Sequence, residues 1–409
     1  MLRNRQLFLL WFVNIATILA LEVFSITVLV TVFEQTGSTL QAAGTMVART
    51  LVAFLLGPIA GVLVDRLPRK YVLVSMDVAR LVLVGLAVWF LQGSTEVPVA
   101  GAYLLLAGLA AAGVFHNPAR LALIPSLVPR EQLAQANSLI LASTQIVLAI
   151  AYTLGGWLVL AVPLRQIALG VAALLASAIL AAMLIIVPKR EEAEDAGPAE
   201  SFSRSVASGW RYLRRHPLAR PLTVMEAIEH VPHAIWMGAM LLAFTIQALG
   251  GDTADWGYQV TGYFAGMIVG SLAALALSGL VRRHPGRIIM ANAFLAGAMT
   301  LAYAISQSVW MAVVLAFFFG PPNAARDVAQ DTLLQGTVED AQLGRVYATR
   351  QMLASLVFMF AGVLFAWLSD LVPIRTIYVA AGLIYILTGF YALSNRRLRE
   401  SKMDSGEGT

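Results

Sequence analysis

The side chains best able to do chemistry in this sequence are ionisable groups stranded in apolar stretches. Glu22 lies near the middle of an apolar run that reaches Phe33, and Arg49 lies about ten residues into the next run. At 1.5 Å per residue, both sit roughly 15 Å from the same end of their helices. Opposite charges at matched depth on adjacent helices can pair, and an arriving proton or charged substrate would switch the pair between two states. The same pair could instead serve as a structural lock between the two helices. A second group, Glu226, Glu229, His230 and His233, has offsets of 3, 4 and 7, which place all four on one helical face. Histidine changes charge near neutral pH, so this face reads as a proton relay. Carboxylate and imidazole at such spacing also suit a metal ion, and hydration at the membrane edge is the bland alternative, most of all for Glu226. Pro232 removes a backbone donor beside the cluster and predicts a kink.

The elements that must hold these groups are transmembrane helices. Hydrophobic residues make up 59% of the 409-residue chain and charged residues 12%, with a mean hydropathy of +0.77. A soluble domain carries about 25% charged residues. Twelve stretches reach spanning length, near residues 7–33, 41–64, 71–91, 97–116, 133–160, 164–187, 221–248, 256–281, 287–306, 308–325, 343–369 and 374–394. Lys and Arg fall in alternate loops: Arg3 and Arg5, then Arg66, Arg69 and Lys70, then Arg120 and Arg130. Further along come Lys189 to Arg220, Arg282 to Arg287, then Arg326, Arg345 and Arg350, and a basic tail after Arg396. The opposite loops hold only Arg165 and Arg375. This bias puts both termini in the cytoplasm and the protein in the inner (plasma) membrane. It also accounts for the net charge of +5 without nucleic acid.

The expected architecture is all-α. Residues 1–188 form one six-helix bundle, 189–219 a cytoplasmic linker, 220–396 a second bundle, and 397–409 a tail. Within the linker, Val206, Trp210 and Leu213 lie at helical spacing beside Arg211, Arg214 and Arg215, which reads as an amphipathic helix on the inner leaflet. The halves repeat. Asn117-Pro118-Ala119-Arg120 closes the fourth span and Asn323-Ala324-Ala325-Arg326 the tenth, and Gly279 with Arg282, Arg283 and Arg287 follows the eighth. No cysteine is present, so disulfides and thiolate chemistry are excluded. No metal-protease pattern, nucleophile elbow or phosphate loop is found, so an enzyme is not expected.

One loop ties these features to a known family. Gly61, Asp65, Arg66, Arg69 and Lys70 in GVLVDRLPRK resemble the signature G-x-x-x-D-[RK]-x-G-[RK]-[RK] of the major facilitator superfamily, departing at Pro68. The stretch 116–139, HNPARLALIPSLVPREQLAQANSL, and GWRYLRRHPLARPL at 209–222 look like the drug:proton antiporter-3 group, of the enterobactin-exporter and macrolide-efflux type. The resemblance implies two pseudo-symmetric six-helix bundles, each giving a wall to a midplane cavity, working by alternating access. It also implies that Asp65 engages a cytoplasmic gate with Arg120. Asp77 and Arg80, one turn apart near the cytoplasmic end of the third span, are expected to tether this motif or each other. Asn14, Asn137, Gln145, Tyr152, Trp236, Met237, Asn292 and Tyr303 are candidates for lining the cavity. Two departures weigh against a simple drug antiporter. The fifth-span exporter signature survives only as Gly155-Gly156, and the fourth span lacks a mid-membrane arginine.

The function expected on these grounds is proton-coupled export of amphipathic small molecules, that is, multidrug efflux by proton antiport. Export of a siderophore or other metabolite, movement of a lysolipid, and metal-ion transport through the seventh-helix face are the alternatives. No cofactor is expected beyond the proton gradient as energy source. The expected partners are the bilayer, protons and the substrate, with the protein acting as a monomer.

Overall fold

The computed structural model describes residues 4–93, 97–129, 132–187, 202–236 and 238–401. Lipid offers no hydrogen-bond partner to a peptide group, so a chain this apolar must close its backbone bonds within helices. Every regular element among the described residues is helical. The first unit, Met1–Ala199, holds α1 (Arg5–Thr36), α2 (Thr39–Arg66), α3 (Arg69–Phe90), α4 (Val99–Leu127), α5 (Leu133–Ala161) and α6 (Leu164–Met183). Its entry is set locally. Asn4 accepts from the backbone N–H groups of Gln6 and Leu7, while its own amide donates to Leu127 O across 2.9 Å. Gly37, at φ 65°, ends α1 in the left-handed region, and Ser38 then caps α2. α1 packs against both α5 and α6, α2 against α4, and α3 against α4 and α6. Leu7, Leu10 and Val13 anchor one core with Leu123, Ile140 and Ala178. Phe24 and Val28 anchor another with Leu106, Ala151 and Leu175.

The second unit, Glu200–Thr409, begins with α7 (Phe202–Arg215). It continues through α8 (Ala219–His233), α9 (Gly238–Leu249), α10 (Thr253–Ala276), the short α11 (Ser278–Arg283) and α12 (Pro285–Ala304). It ends with α13 (Val309–Thr337), α14 (Asp340–Ser369), α15 (Ile374–Ser394) and the short α16 (Arg396–Arg399). Its pairings repeat those of the first unit: α8 packs against α14 and α15, α10 against α13, and α12 against α13 and α15. The α10–α13 crossing is close. A Cβ on Gly266 would overlap Phe317 O, and one on Gly270 would lie 2.4 Å from the Cα of Pro321, so only glycine permits this approach. Arg375 donates to Ala304 O at 2.6 Å and to Ala248 O at 2.9 Å, capping the ends of α12 and α9.

Among the described residues, ten helices are individually long and apolar enough to cross a membrane, and α8 with α9 makes an eleventh, bent by 47°. With α13 the chain has a twelve-helix arrangement in two halves. The bend follows Pro232, where α8 gives way to a single 3-10 turn at Ala234–Trp236. Leucines stand open on the helix flanks, Leu104 at 75% and Leu275 at 73% exposure, as suits surfaces solvated by acyl chains.

Two sequence expectations change, and the departure at Pro68 is explained. The Asn117–Arg120 and Asn323–Arg326 segments do not close their spans. α4 runs on to Leu127 through Pro118 and Pro125, and α13 to Thr337 through Pro321 and Pro322. Proline is tolerated inside a helix whose neighbours re-satisfy the freed groups. Arg326 and Arg350, expected as loop charges, are buried side chains within α13 and α14. Pro68 needs no left-handed turn: the α2–α3 connection is only Leu67-Pro68, both extended, and Pro68 serves as the N-cap of α3.

Candidate functional site

In the first unit, α1 and α2 bring Glu22 and Arg49 together. Arg49 Nη2 lies 2.6 Å from Glu22 Oε1, and Nη1 lies 3.5 Å from Oε2, a forked arrangement. Both side chains line a cavity of about 690 Å³ with Asn14, Thr17, Ser25 and Tyr152. Asn14 is held by Thr144 Oγ1 of α5 at 3.1 Å. Arg80 and His116 also line this cavity. Arg80 donates to Asp77 Oδ1 at 2.8 Å, and His116 Nε2 meets Asp77 Oδ2 at 3.2 Å, with all three residues buried. Asp77 is thus clamped between α3 and α4. Arg80 Nε and His116 Nδ1 are buried without hydrogen-bond partners. Arg80 Nε is an unused donor, whereas His116 Nδ1 is an acceptor in the neutral ring whose Nε2–H faces Asp77.

Asp77 and Arg80, expected to tether the loop motif or each other, pair with each other. Arg80 also lines the cavity with Glu22 and Arg49. The partner that the sequence reading missed is His116, 39 residues from Asp77 in sequence. A signal for it exists: two opposite charges one turn apart in an apolar helix need a further polar neighbour to be buried.

The loop motif itself works at helix ends. Arg69 donates to Ala122 O at 2.8 Å, and Lys70 to Met183 O, the last residue of α6, at 2.8 Å. The side chains of Gly61, Asp65 and Arg66 lie outside those described, and with them the expected Asp65 contact. Arg120 Nη1 is buried and has no hydrogen-bond partner.

In the second unit the α8 face divides among different neighbours. Glu226 accepts from Arg350 of α14, Nη2 at 2.6 Å and Nε at 2.7 Å. Glu229 accepts from Arg326 of α13 at 3.0 Å, and Arg326 also reaches Asp327 at 3.2 Å and Asn323 at 3.4 Å. His230 Nδ1 meets the Glu226 carbonyl at 2.8 Å, so that nitrogen carries its proton. His233 lies 3.3 Å from Tyr385 OH among the rings of Tyr263, Phe319 and Phe358. Sharing one face of α8 does not bring these side chains onto a common ligand: Glu226, Glu229 and His233 turn toward α14, α13 and α15, while His230 bonds back to α8 itself. Among the described residues no group of three His, Asp or Glu side chains could hold a metal ion.

The remaining cavity candidates are mostly enclosed. Trp236 stacks on Phe319 at 4.1 Å, and Tyr303 bonds to Gln259, which also donates to Thr245 at 2.9 Å. Asn292 is buried with neither side-chain atom bonded. Gln145 is exposed on α5. The Asn137 side chain and Met237 lie outside those described.

The sequence profile of the Major Facilitator Superfamily matches residues 10–320. The chain is 34% identical over 291 residues to the uncharacterized MFS-type transporter YjbB of Bacillus subtilis (strain 168), covering 70% of each chain. It is 22% identical over 394 residues to macrolide efflux protein A of Streptococcus pyogenes, covering 93% of each. Among solved structures, a bacterial homologue of the human lysosomal transporter Spinster superposes with a TM-score of 0.71 at 14% identity, over 97% of this chain and 98% of that one. A POT family transporter in complex with 5-aminolevulinic acid gives 0.74 at 11% identity, over 96% of each. At such identities these two structures speak to the fold alone. A multi-pass membrane transporter, this chain belongs to the major facilitator superfamily.

Proposed function

We infer that the protein is a proton-coupled exporter of amphipathic small molecules, working by alternating access with Glu22 and Arg49 at its coupling site. The observation that carries this reading is the forked Glu22–Arg49 pair on the wall of a polar and apolar cavity. A charge in a transmembrane segment is costly and is retained where it is paired or used. A proton on Glu22 cancels the charge that holds Arg49, and deprotonation restores it. Each state offers the cavity a different electrostatic surface. The apolar walls supplied by Ile18, Leu21, Ala53, Leu109 and Val114 suit a largely hydrophobic body with few polar groups. The likeness to macrolide efflux protein A over 93% of both chains supports export of such compounds. The test is flux in proteoliposomes under an imposed pH gradient, with erythromycin and ethidium as probes. Uphill movement abolished by a protonophore supports the reading. Movement of either probe that never exceeds equilibration, with or without the gradient, refutes coupling.

A further inference from the structure

The linker helix α7 forms a basic pocket that transport chemistry does not use. Trp210, Arg211, Arg214 and Arg215 of α7 and Arg220 of α8 line a space of about 680 Å³. All four guanidinium groups are exposed, and within the described residues none forms an ion pair or donates a side-chain hydrogen bond. Like charges gathered in this way repel, so the helix must be held by other contacts. The other face of α7 supplies them. Leu213 is buried at 3% exposure, and a Cβ on Gly209 would lie 2.6 Å from Arg345 O, so α7 rests directly on α14. His216 locks the turn into α8. Its Nδ1 accepts from Ala219 N at 2.9 Å, which leaves Nε2 to donate to Thr337 O at 3.1 Å. The arginines are thus presented on a fixed platform at the point where the chain enters its seventh span.

We propose that this pocket binds the phosphate headgroup of an anionic phospholipid. Guanidinium groups match phosphate oxygens in pairs. Trp210, at 44% exposure, is the amphipathic side chain that settles at headgroup depth. A cluster of four or more basic residues on an amphipathic helix beside a span has the pattern that recruits anionic lipid. The pocket sits at the start of α8, whose acids Glu226 and Glu229 hold Arg350 and Arg326. A bound lipid therefore fastens the end of the helix that organises the second unit.

The experiment titrates the full-length protein in detergent with dioleoyl-phosphatidylglycerol or dioleoyl-phosphatidylcholine. Native mass spectrometry counts retained lipid, and the thermal midpoint is read in parallel. The phosphatidylglycerol form is retained preferentially and raises the midpoint. Arg211→Gln, Arg214→Gln, Arg215→Gln and Arg220→Gln each weaken it about fivefold, and together they erase the preference. The exposed Arg283 and Arg287 provide the control, since their Gln variants keep it. Three results overturn the proposal. One is a preference that survives in the fourfold variant while that variant melts normally without lipid. The second is equal loss in the Arg283 and Arg287 variants. The third is displacement by inorganic phosphate at equal concentration, which assigns a soluble ligand.

Discussion

Arg49 of α2 and Glu22 of α1 form a two-pronged pair, 2.6 Å at the shorter contact, on the wall of a cavity in the first unit. The two are 27 residues apart in sequence, yet the turn at Gly37 and Ser38 brings them to equal depth. The pair is neither sealed nor free: its side chains retain 34% and 21% exposure. That access to both partners separates it from the Asp77–Arg80 and Glu229–Arg326 pairs, which are buried. Neutralising one member leaves the other uncompensated, so Glu22→Gln and Arg49→Gln should each lower thermal stability. The Glu22→Gln/Arg49→Gln double variant should recover most of that loss, and a double-mutant cycle on thermal midpoints measures the recovery.

The Glu229–Arg326 pair is a different object. Its side chains are only 3% and 10% exposed. Removing one partner from such a site costs about 3–5 kcal/mol. Glu229→Gln should therefore lower the unfolding midpoint in detergent more than Glu226→Gln, whose carboxylate is 17% exposed. Equal shifts would show that the fold does not depend on this burial.

Asp77 answers both Arg80 and His116. Asp77→Asn leaves Arg80 buried without a counter-charge and should destabilise by about 3–5 kcal/mol. His116→Leu keeps the ion pair and gives up one hydrogen bond, a loss of about 1–3 kcal/mol. Chemical denaturation of the two variants in parallel gives the order.

Close packing at α10–α13 should be unforgiving. Gly266→Leu drives a side chain into the backbone of Phe317 and should abolish expression of folded protein. Gly57, in α2, has nothing within 4 Å of the position its Cβ would take. Gly57→Ala should be neutral or add about 0.5–1 kcal/mol through helix propensity. Size-exclusion profiles of the two variants separate these outcomes.

Features governed by local pattern are legible in the sequence. Apolar run length marks the helices, and matched depth points to Glu22 beside Arg49, because one tight turn joins their helices. Internal similarity marks the repeat that reappears as equivalent helix pairings in the two units. Local pattern does not reveal which distant helix supplies a partner. Arg326 reads as a loop charge because proline-containing helices extend past the apolar run, and its acceptor lies 97 residues away. His116 is hidden by its 39-residue separation from Asp77. For the α8 cluster, helical spacing gives a common face but not the separate directions in which four long side chains leave it.

Coupling of proton movement to export at Glu22 is open to a direct comparison of wild type with Glu22→Gln in proteoliposomes. Two quantities are followed: pH-driven accumulation of erythromycin, and its exchange at equilibrium without a gradient. A coupling role for Glu22 predicts that Glu22→Gln loses accumulation against the gradient while exchange continues. Accumulation at the wild-type level in Glu22→Gln would contradict it.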